Sequence, residues 1–315
     1  MTGDTGGVNG TAQLSLAGMP RRLYPCTPSR LTTWLDCPRR YRMAYLDRPA
    51  PAKGQPWAHN SLGAGVHAAL AAWWRLPLAR RTPEAAGGLV DTMWSADGFR
   101  DAQQAGRWQL RAREMTERYV SGLDPADEPV GVERVVSTRT ETLAFTGRVD
   151  RLDLRPGGTT DGGLEAQPGT DPRTGSADPG EQVVVVDYKT GRRPLTADDA
   201  RSSLALALYA LAASRVLRRP ARRVELHHLR SGKVAAWEHE PEGLARHVRR
   251  AEGIAAECRD ADAAFRRGLP DGRVDEVFPA VPGAQCGWCD FARHCPEGRA
   301  ARPLHRSWDG LGEDD

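Results

Sequence analysis

The sequence predicts a mixed α/β fold, a central sheet flanked by helices, on three observations. Val183 to Val186 form a four-valine run between turn signals, the pattern of a strand buried on both faces. Residues 131–154 are β-branched and alternating, as half-buried strands are. Helical periodicity stands before, between and after these stretches. The resulting order is helices, antiparallel strands, a buried strand, a helix, a hairpin and a helix.

Residues 1–24 are rich in Gly, Thr and Ser and are expected to be disordered. Thr27-Pro28-Ser29-Arg30-Leu31 opens a helix capped by Thr27 or Ser29, with Leu31, Trp34, Leu35 and Tyr41 at helical spacing. SLGAGVHAALAAWWR, residues 61–75, reads as a second helix. Further helix is expected over about 84–122, broken at Gly87-Gly88 and near Gly98. Residues 131–154 give two or three strands with a tight turn. Residues 155–181 hold Gly, Pro, Asp and Thr with almost no large apolar residue, and read as a flexible excursion between strands. After the valine strand one apolar helix is expected over 198–218. A hairpin follows over 222–239, turning at Ser231-Gly232, and then a long Arg/Ala/Glu helix over about 241–268. A folded core would thus run over 25–275, a cysteine-bearing segment over 276–300, and an acidic tail over 301–315. No internal repeat is present.

A chain of 315 residues suits one large domain or a domain with an appended module. Hydrophobic residues at 40% and charged residues at 27% are ordinary for a soluble globular protein. No apolar run of membrane-spanning length occurs. The N-terminus lacks the basic start and apolar run of a secretory signal, so a cytoplasmic location is expected. Net charge is +3, from 44 basic and 41 acidic residues, a weak pointer to nucleic acid. The basic residues are nearly all arginine, which suits bidentate phosphate contacts but also follows from GC-rich coding. The lysines are Lys53, Lys189 and Lys233, so a lysine inside a motif stands out. Gly232-Lys233 is followed by Val234, so there is no phosphate-binding G-K-S/T loop, and any helicase is a separate partner.

Two places carry chemistry: Gly147-Arg148-Val149-Asp150 and Val186-Asp187-Tyr188-Lys189-Thr190-Gly191. Asp187 and Lys189 are two apart on a strand and share a face. If the strand holding Asp150 pairs with it, two carboxylates and one ammonium converge on one sheet edge. Phosphodiester cleavage asks for such a set. Carboxylates hold a hard divalent cation, which polarises a phosphate and makes hydroxide available near neutral pH. A lysine beside the attacking water stabilises developing charge. The plain alternative is an exposed Asp–Lys ion pair, but a buried strand rarely ends in unpaired charges. His67 stands in a helix among Gly63, Ala64, Ala68 and Ala69, as a ligand or as a satisfied core histidine.

Together these pieces resemble the PD-(D/E)xK nuclease superfamily, in its RecB-family exonuclease and Cas4-like branch. Gly63-x-x-x-His67 is similar to the family's helical histidine motif, Gly147-x-x-Asp150 to its aspartate motif, and Asp187-Tyr188-Lys189 to its D/E-x-K motif. The resemblance implies a restriction-endonuclease-like fold. It implies that His67, Asp150, Asp187 and the Tyr188 backbone carbonyl hold Mg²⁺ or Mn²⁺, and that Asp150, Asp187 and Lys189 are catalytic. Tyr209 matches the tyrosine of the family's Gln-x-x-x-Tyr motif, but the glutamine falls at Ala205. Either Ser202 or Ser203 substitutes, or catalysis is weaker. Arg192 and Arg193, directly after the motif strand, read as a phosphate clamp on DNA or as a solvated turn. Arg246, Arg249 and Arg250 read as a solvated helix face.

Six cysteines occur, three of them as Cys286-x2-Cys289-x5-Cys295. In a reducing compartment such clusters more often bind metal than form disulfides. Three need a fourth ligand. The segment around Cys37, followed by Pro38 and Tyr41, resembles the N-terminal cysteine segment of nucleases in this branch that carry an iron–sulfur cluster. By that resemblance Cys37, Cys286, Cys289 and Cys295 ligate a 4Fe-4S cluster and tie the chain ends together. Zinc on the same thiolates, His294 as a competing ligand and Cys26 in place of Cys37 are the alternatives. Cys26 and Cys258 otherwise read as plain thiols. Trp34, Trp73, Trp74 and Trp288, among nine tryptophans, either stack on bases or fill the core.

The expected function is a metal-dependent DNA nuclease, an exonuclease on single-stranded or frayed ends in repair or recombination. The alternatives are a non-cleaving DNA-binding iron–sulfur scaffold subunit, and a Cas4-like nuclease in CRISPR adaptation.

Overall fold

The computed structural model describes residues 23–156, 180–270 and 272–312. Most of the N-terminal stretch, nearly all of the expected excursion and the last three acidic residues lie outside them. In chain order the elements are β1 (Tyr24–Cys26), α1 (Pro28–Asp36), α2 (Pro38–Tyr45), α3 (Ala58–Trp74), α4 (Pro83–Met93) and α5 (Ala102–Ser121). Then come β2 (Gly131–Arg139), β3 (Leu143–Arg155), β4 (Gln182–Lys189), α6 (Ala197–Ser202) and α7 (Leu204–Leu217). The last are β5 (Arg223–His228), β6 (Lys233–Glu238), α8 (Pro241–Arg266), α9 (Arg273–Val277) and α10 (Pro296–Ala301).

One six-stranded mixed sheet forms the middle layer. β4 lies between antiparallel β3 and parallel β5, and β6 closes that side. Val183 to Val186 are fully buried because both faces of β4 are covered. Val183 and Val185 pack with residues of α1, α7 and α8; Val184 and Val186 pack with residues of α3, α4 and α5. The result is a mixed central sheet between two helical layers, which fits a restriction-endonuclease-like fold.

Four expectations need correction. Tyr24, placed in the disordered stretch, opens β1, which pairs in parallel with Leu143–Phe145. The helix expected to run from 28 through Tyr41 breaks at Cys37, whose backbone is extended (φ −171°, ψ 112°), as the following proline favours. Gly87-Gly88 does not break its helix. Gly87 is needed for packing, since a Cβ there would meet the Glu117 carboxylate of α5 at 1.9 Å. The break falls only at the other expected place, around Gly98, whose φ of +83° suits glycine. The single helix expected over 198–218 is two. A Thr196–Asp199 capping box starts α6, and Ser203 leaves the helical region and caps α7.

Sequence periodicity gave no hint of the charge network on the α5 side of the sheet. Arg155 donates to Glu225 at 2.8 Å and to Asp153 at 2.9 Å, and Arg223 to Glu225 at 2.7 Å. His227 Nε2 lies 2.9 Å from Glu225, and its Nδ1 lies 2.8 Å from the Tyr119 hydroxyl. Glu225 is 2% exposed, so its removal strands two guanidinium groups. Glu225→Ala is expected to cost about 3–5 kcal/mol in denaturant unfolding. Burial would raise the Glu225 carboxyl, but His227, Arg155 and Arg223 hold it well below the usual range. Burial lowers His227. Both groups bind fewer protons folded than unfolded. Stability is therefore full above pH about 6.5 and falls as pH drops through the ordinary histidine and carboxylate ranges. A melting series against pH reads this, and the Glu225→Ala variant should lose the steep acid limb.

Candidate functional site

The site forms where the sheet splays. β2 pairs with β3 along 144–152, so both other partners of β3 lie on its opposite edge. β1 takes 143–145 there and β4 takes 151–155. Between them Thr146–Asp150 has no strand partner on that edge among the described residues. The β3–β4 ladder ends at Arg151–Val186, and the next step sets Asp150 opposite Asp187. There the Asp150 side chain replaces the ladder: its Oδ2 accepts the Tyr188 N–H at 2.8 Å. Its Oδ1 lies 3.4 Å from His67 Nδ1.

Asp187 and Lys189 share a face of β4 and meet in an ion pair. Asp187 Oδ2 is buried with no hydrogen-bond donor aligned on it. Burial pushes the Asp187 carboxyl up, Lys189 pulls it down, and the Asp150 charge adds to the rise. Burial would lower His67, but its hydrogen bond with Asp150 and the charges of Asp150 and Asp187 outweigh this, and it is raised. His67 reaches the sheet because α3 packs closely: a Cβ on Gly63 would lie 3.3 Å from Thr190 Oγ1. Its ring meets that of Tyr188 edge-on at 5.7 Å.

Tyr209, on α7, closes the other side. A Cβ on Gly147 would come within 2.3 Å of its Cε1, so the glycine is what lets the ring lie on β3. Burial, with the charges of Asp187, Asp150 and Glu133, pushes the Tyr209 hydroxyl up to about 12. Gly147→Val should displace this ring, and a tyrosine absorbance titration should show a phenol moving back towards pH 10. An unchanged titration counts against the packing. Ala205 leaves the glutamine position apolar. Ser202 Oγ donates to Asp198 O at 2.7 Å, and Ser203 Oγ accepts from Leu206 N at 3.3 Å, so both expected substitutes are engaged within their helices. Arg193 makes a two-pronged pair with Asp199, at 3.1 and 2.9 Å, which fixes the loop after β4.

One residue of this cluster escaped the sequence reading. His67, Glu133 and Asp150 offer ligand atoms within 4.8 Å of one another. Glu133 lies opposite Asp150 across the β2–β3 hairpin and holds a left-handed backbone (φ +49°), which costs on the order of 1 kcal/mol. Counting back from the 140–142 turn would have paired the two. The donor set of carboxylates and one imidazole suits a hard divalent cation; Asp187 is not in this group, and its Oδ2 is held by Lys189.

The second cluster joins the chain ends. Cys37, Cys286, Cys289 and Cys295 line one apolar cavity with Met43 and Phe291. No disulfide links them. Gly283 N–H and Gly298 N–H each point at a sulfur, of Cys286 and Cys295, at 3.4 Å. Among the described residues no three of these sulfurs lie within 4.8 Å of one another. Cys26 and Cys258 are elsewhere in the core, where burial pushes their thiols up to about 11 and about 12. His294 is exposed and bonded to Ala52 O at 2.9 Å. Arg39 donates to Glu297 at 2.6 Å, and Trp57 to Asp290 at 2.9 Å, which fasten the C-terminal segment to residues near Cys37.

A mixed sheet that opens at its centre onto two aspartates and a lysine defines a class of phosphodiester-cleaving folds. The family model of the PD-(D/E)XK nuclease superfamily matches residues 25–161 and 175–296, and the chain belongs to that superfamily. Comparison with curated proteins finds no match. No helix among the described residues is long and apolar enough to cross a membrane.

Proposed function

We propose that this chain is a metal-dependent DNA nuclease of the RecB/Cas4-like branch, acting as an exonuclease on single-stranded or frayed ends in repair or recombination. The observation that carries this is the placement of Asp150 opposite Asp187 where the β3–β4 ladder ends, with Lys189 beside them. His67, Asp150, Asp187 and the Tyr188 carbonyl would hold Mg²⁺ or Mn²⁺, which supplies Lewis-acid activation of phosphate and water. The Tyr188 N–H fixes the Asp150 carboxylate, so one of its oxygens stays aimed at the cluster. Lys189 orients the attacking water and offsets charge developing on the phosphate. Tyr209 bounds the site and excludes water from that side.

The four cysteines would hold a 4Fe-4S cluster. Four thiolates on one zinc at about 2.3 Å stand roughly 3.8 Å apart, whereas no three of these sulfurs lie within 4.8 Å of one another. The wider spacing favours the cluster, in which each thiolate takes its own iron, and the N–H···S contacts suit charged sulfurs. Purified protein should be brown and contain iron. Zinc without iron refutes this part.

A second reading, a non-cleaving DNA-binding scaffold, is favoured by Ala205 and by the engagement of Ser202 and Ser203. Incubation of end-labelled DNA with the purified chain separates the two. Digestion with Mg²⁺ or Mn²⁺ but not in EDTA is expected, whereas intact DNA with Mn²⁺ supports the scaffold. The same assay reads strand and end preference. Genomic neighbours bear on a role in CRISPR adaptation or alongside a helicase.

A further inference from the structure

Arg192 and Arg230 stand one short step beyond Lys189, away from the carboxylates. Leu229 N–H donates to Lys189 O at 2.9 Å, and His228 Nε2 lies 2.8 Å from Gly191 O. These contacts lock the β5–β6 turn, with Arg230, onto the loop that carries Arg192. Both arginines line a cavity of about 410 Å³ between that loop, Leu62 of α3 and the side of α5. Arg111 and Arg118 add two more guanidinium groups, against one carboxylate, Glu114. Among the described residues Arg118, Arg192 and Arg230 have no ion-pair partner. Those three guanidinium groups give the pocket its excess positive charge.

Trp108 forms part of the lining and is 5% exposed. Arg111 and Arg230 both lie over its ring, at 4.9 and 5.0 Å from the centroid. Two like charges on one indole make a site where a further anion is favoured. The indole Nε1–H is buried and has no acceptor, a donor held ready for an incoming oxygen. Burial and the charges of Arg192 and Arg111 lower the Arg230 pKa.

Arg192 and Gly312 also line a second hollow, with Trp288, His305 and Trp308. Arg306 and Arg100 there are neutralised by Asp309 and Asp101, so this hollow is aromatic in character. Trp288 and His305 are stacked at 4.1 Å, and Trp288 sits between Cys286 and Cys289.

We propose that these two hollows form a binding track for single-stranded DNA, an arginine pocket for strand phosphate continuing into an aromatic trough for bases, which leads from the β4 end to the cysteine segment. Charged pocket plus stacking platform is the chemistry of single-strand binding. A concave pocket of this size suits one extruded or single nucleotide, whereas a duplex is read by elements inserted into its grooves. The proposal rests on the nuclease reading for its biological sense but not for its test.

The test uses the full chain in EDTA, where no cleavage occurs, and fluorescence anisotropy of a labelled oligothymidylate and of a matched duplex. Arg230→Glu and Arg118→Glu should each weaken single-strand binding about tenfold or more near 0.1 M salt, and the milder Arg230→Gln should lower the slope against log salt by about 1. Trp308→Ala should weaken binding with the salt slope unchanged. Arg249→Glu, on α8, should bind as wild type. Wild-type affinity in both charge reversals overturns the proposal, as does tighter binding of duplex by the wild-type chain. Loss of strand affinity in a chain that digests nothing would uphold the track while removing the nuclease reading. Unaltered affinity in variants of an active nuclease would do the reverse.

Discussion

Asp187→Ala should lower Mg²⁺- or Mn²⁺-dependent DNA digestion by about 10³-fold or more, and Lys189→Ala by about 10²–10³-fold. The reason lies in how the site is built. The Asp187 carboxylate makes its ion pair with Lys189, which is itself half-exposed, so a small residue there leaves the core packing in place. The Asp187 carboxyl is raised by burial and by the Asp150 charge, against the pull of Lys189, the mix of groups that a functional site gathers. Lys189 faces it and is half-exposed, in reach of an incoming phosphate. Neither side chain supports the core, so both variants should melt close to wild type. Single-turnover digestion of end-labelled DNA by purified variants checks this. Undiminished digestion by either contradicts the assignment.

Cys37→Ser should strip iron from the protein and lower its stability by up to about 5 kcal/mol. The chain-entropy account of a cross-link gives that figure for a closed loop of roughly 250 residues. Part of it will be retained, because Arg39–Glu297 and Trp57–Asp290 hold the same ends together. Cys26→Ser, in the core at the end of β1, should leave iron content unchanged. Iron analysis and thermal melts of both variants decide it. Full iron in Cys37→Ser would move the fourth ligand elsewhere.

The parts of the fold that were legible from sequence are those where local pattern and burial agree. Four valines in a row fit only a strand covered on both faces, and the Ser231-Gly232 turn supplies the positive φ that its hairpin needs. The motifs at Asp150 and Asp187 were legible because a carboxylate at the end of a buried strand needs a partner. What escaped depends on contacts remote in sequence. Gly87 reads as a breaker until Glu117 is seen packed on it. β1 has three residues, too few for any periodicity, and exists through pairing with β3. The Arg155–Glu225–His227 network joins strands about 70 residues apart, and no local pattern announces it. Glu133 sits between a valine and an arginine in an ordinary strand, and its left-handed turn towards Asp150 follows from the site rather than from neighbouring residues.

The account turns on a cation shared by Asp150 and Asp187. Loss of the free Mn²⁺ signal in electron paramagnetic resonance, as protein is titrated in without DNA, measures that directly. The wild-type chain should take up Mn²⁺, and Asp150→Asn and Asp187→Asn should each leave it free at the same protein concentration. Uptake undiminished in both variants would contradict the account.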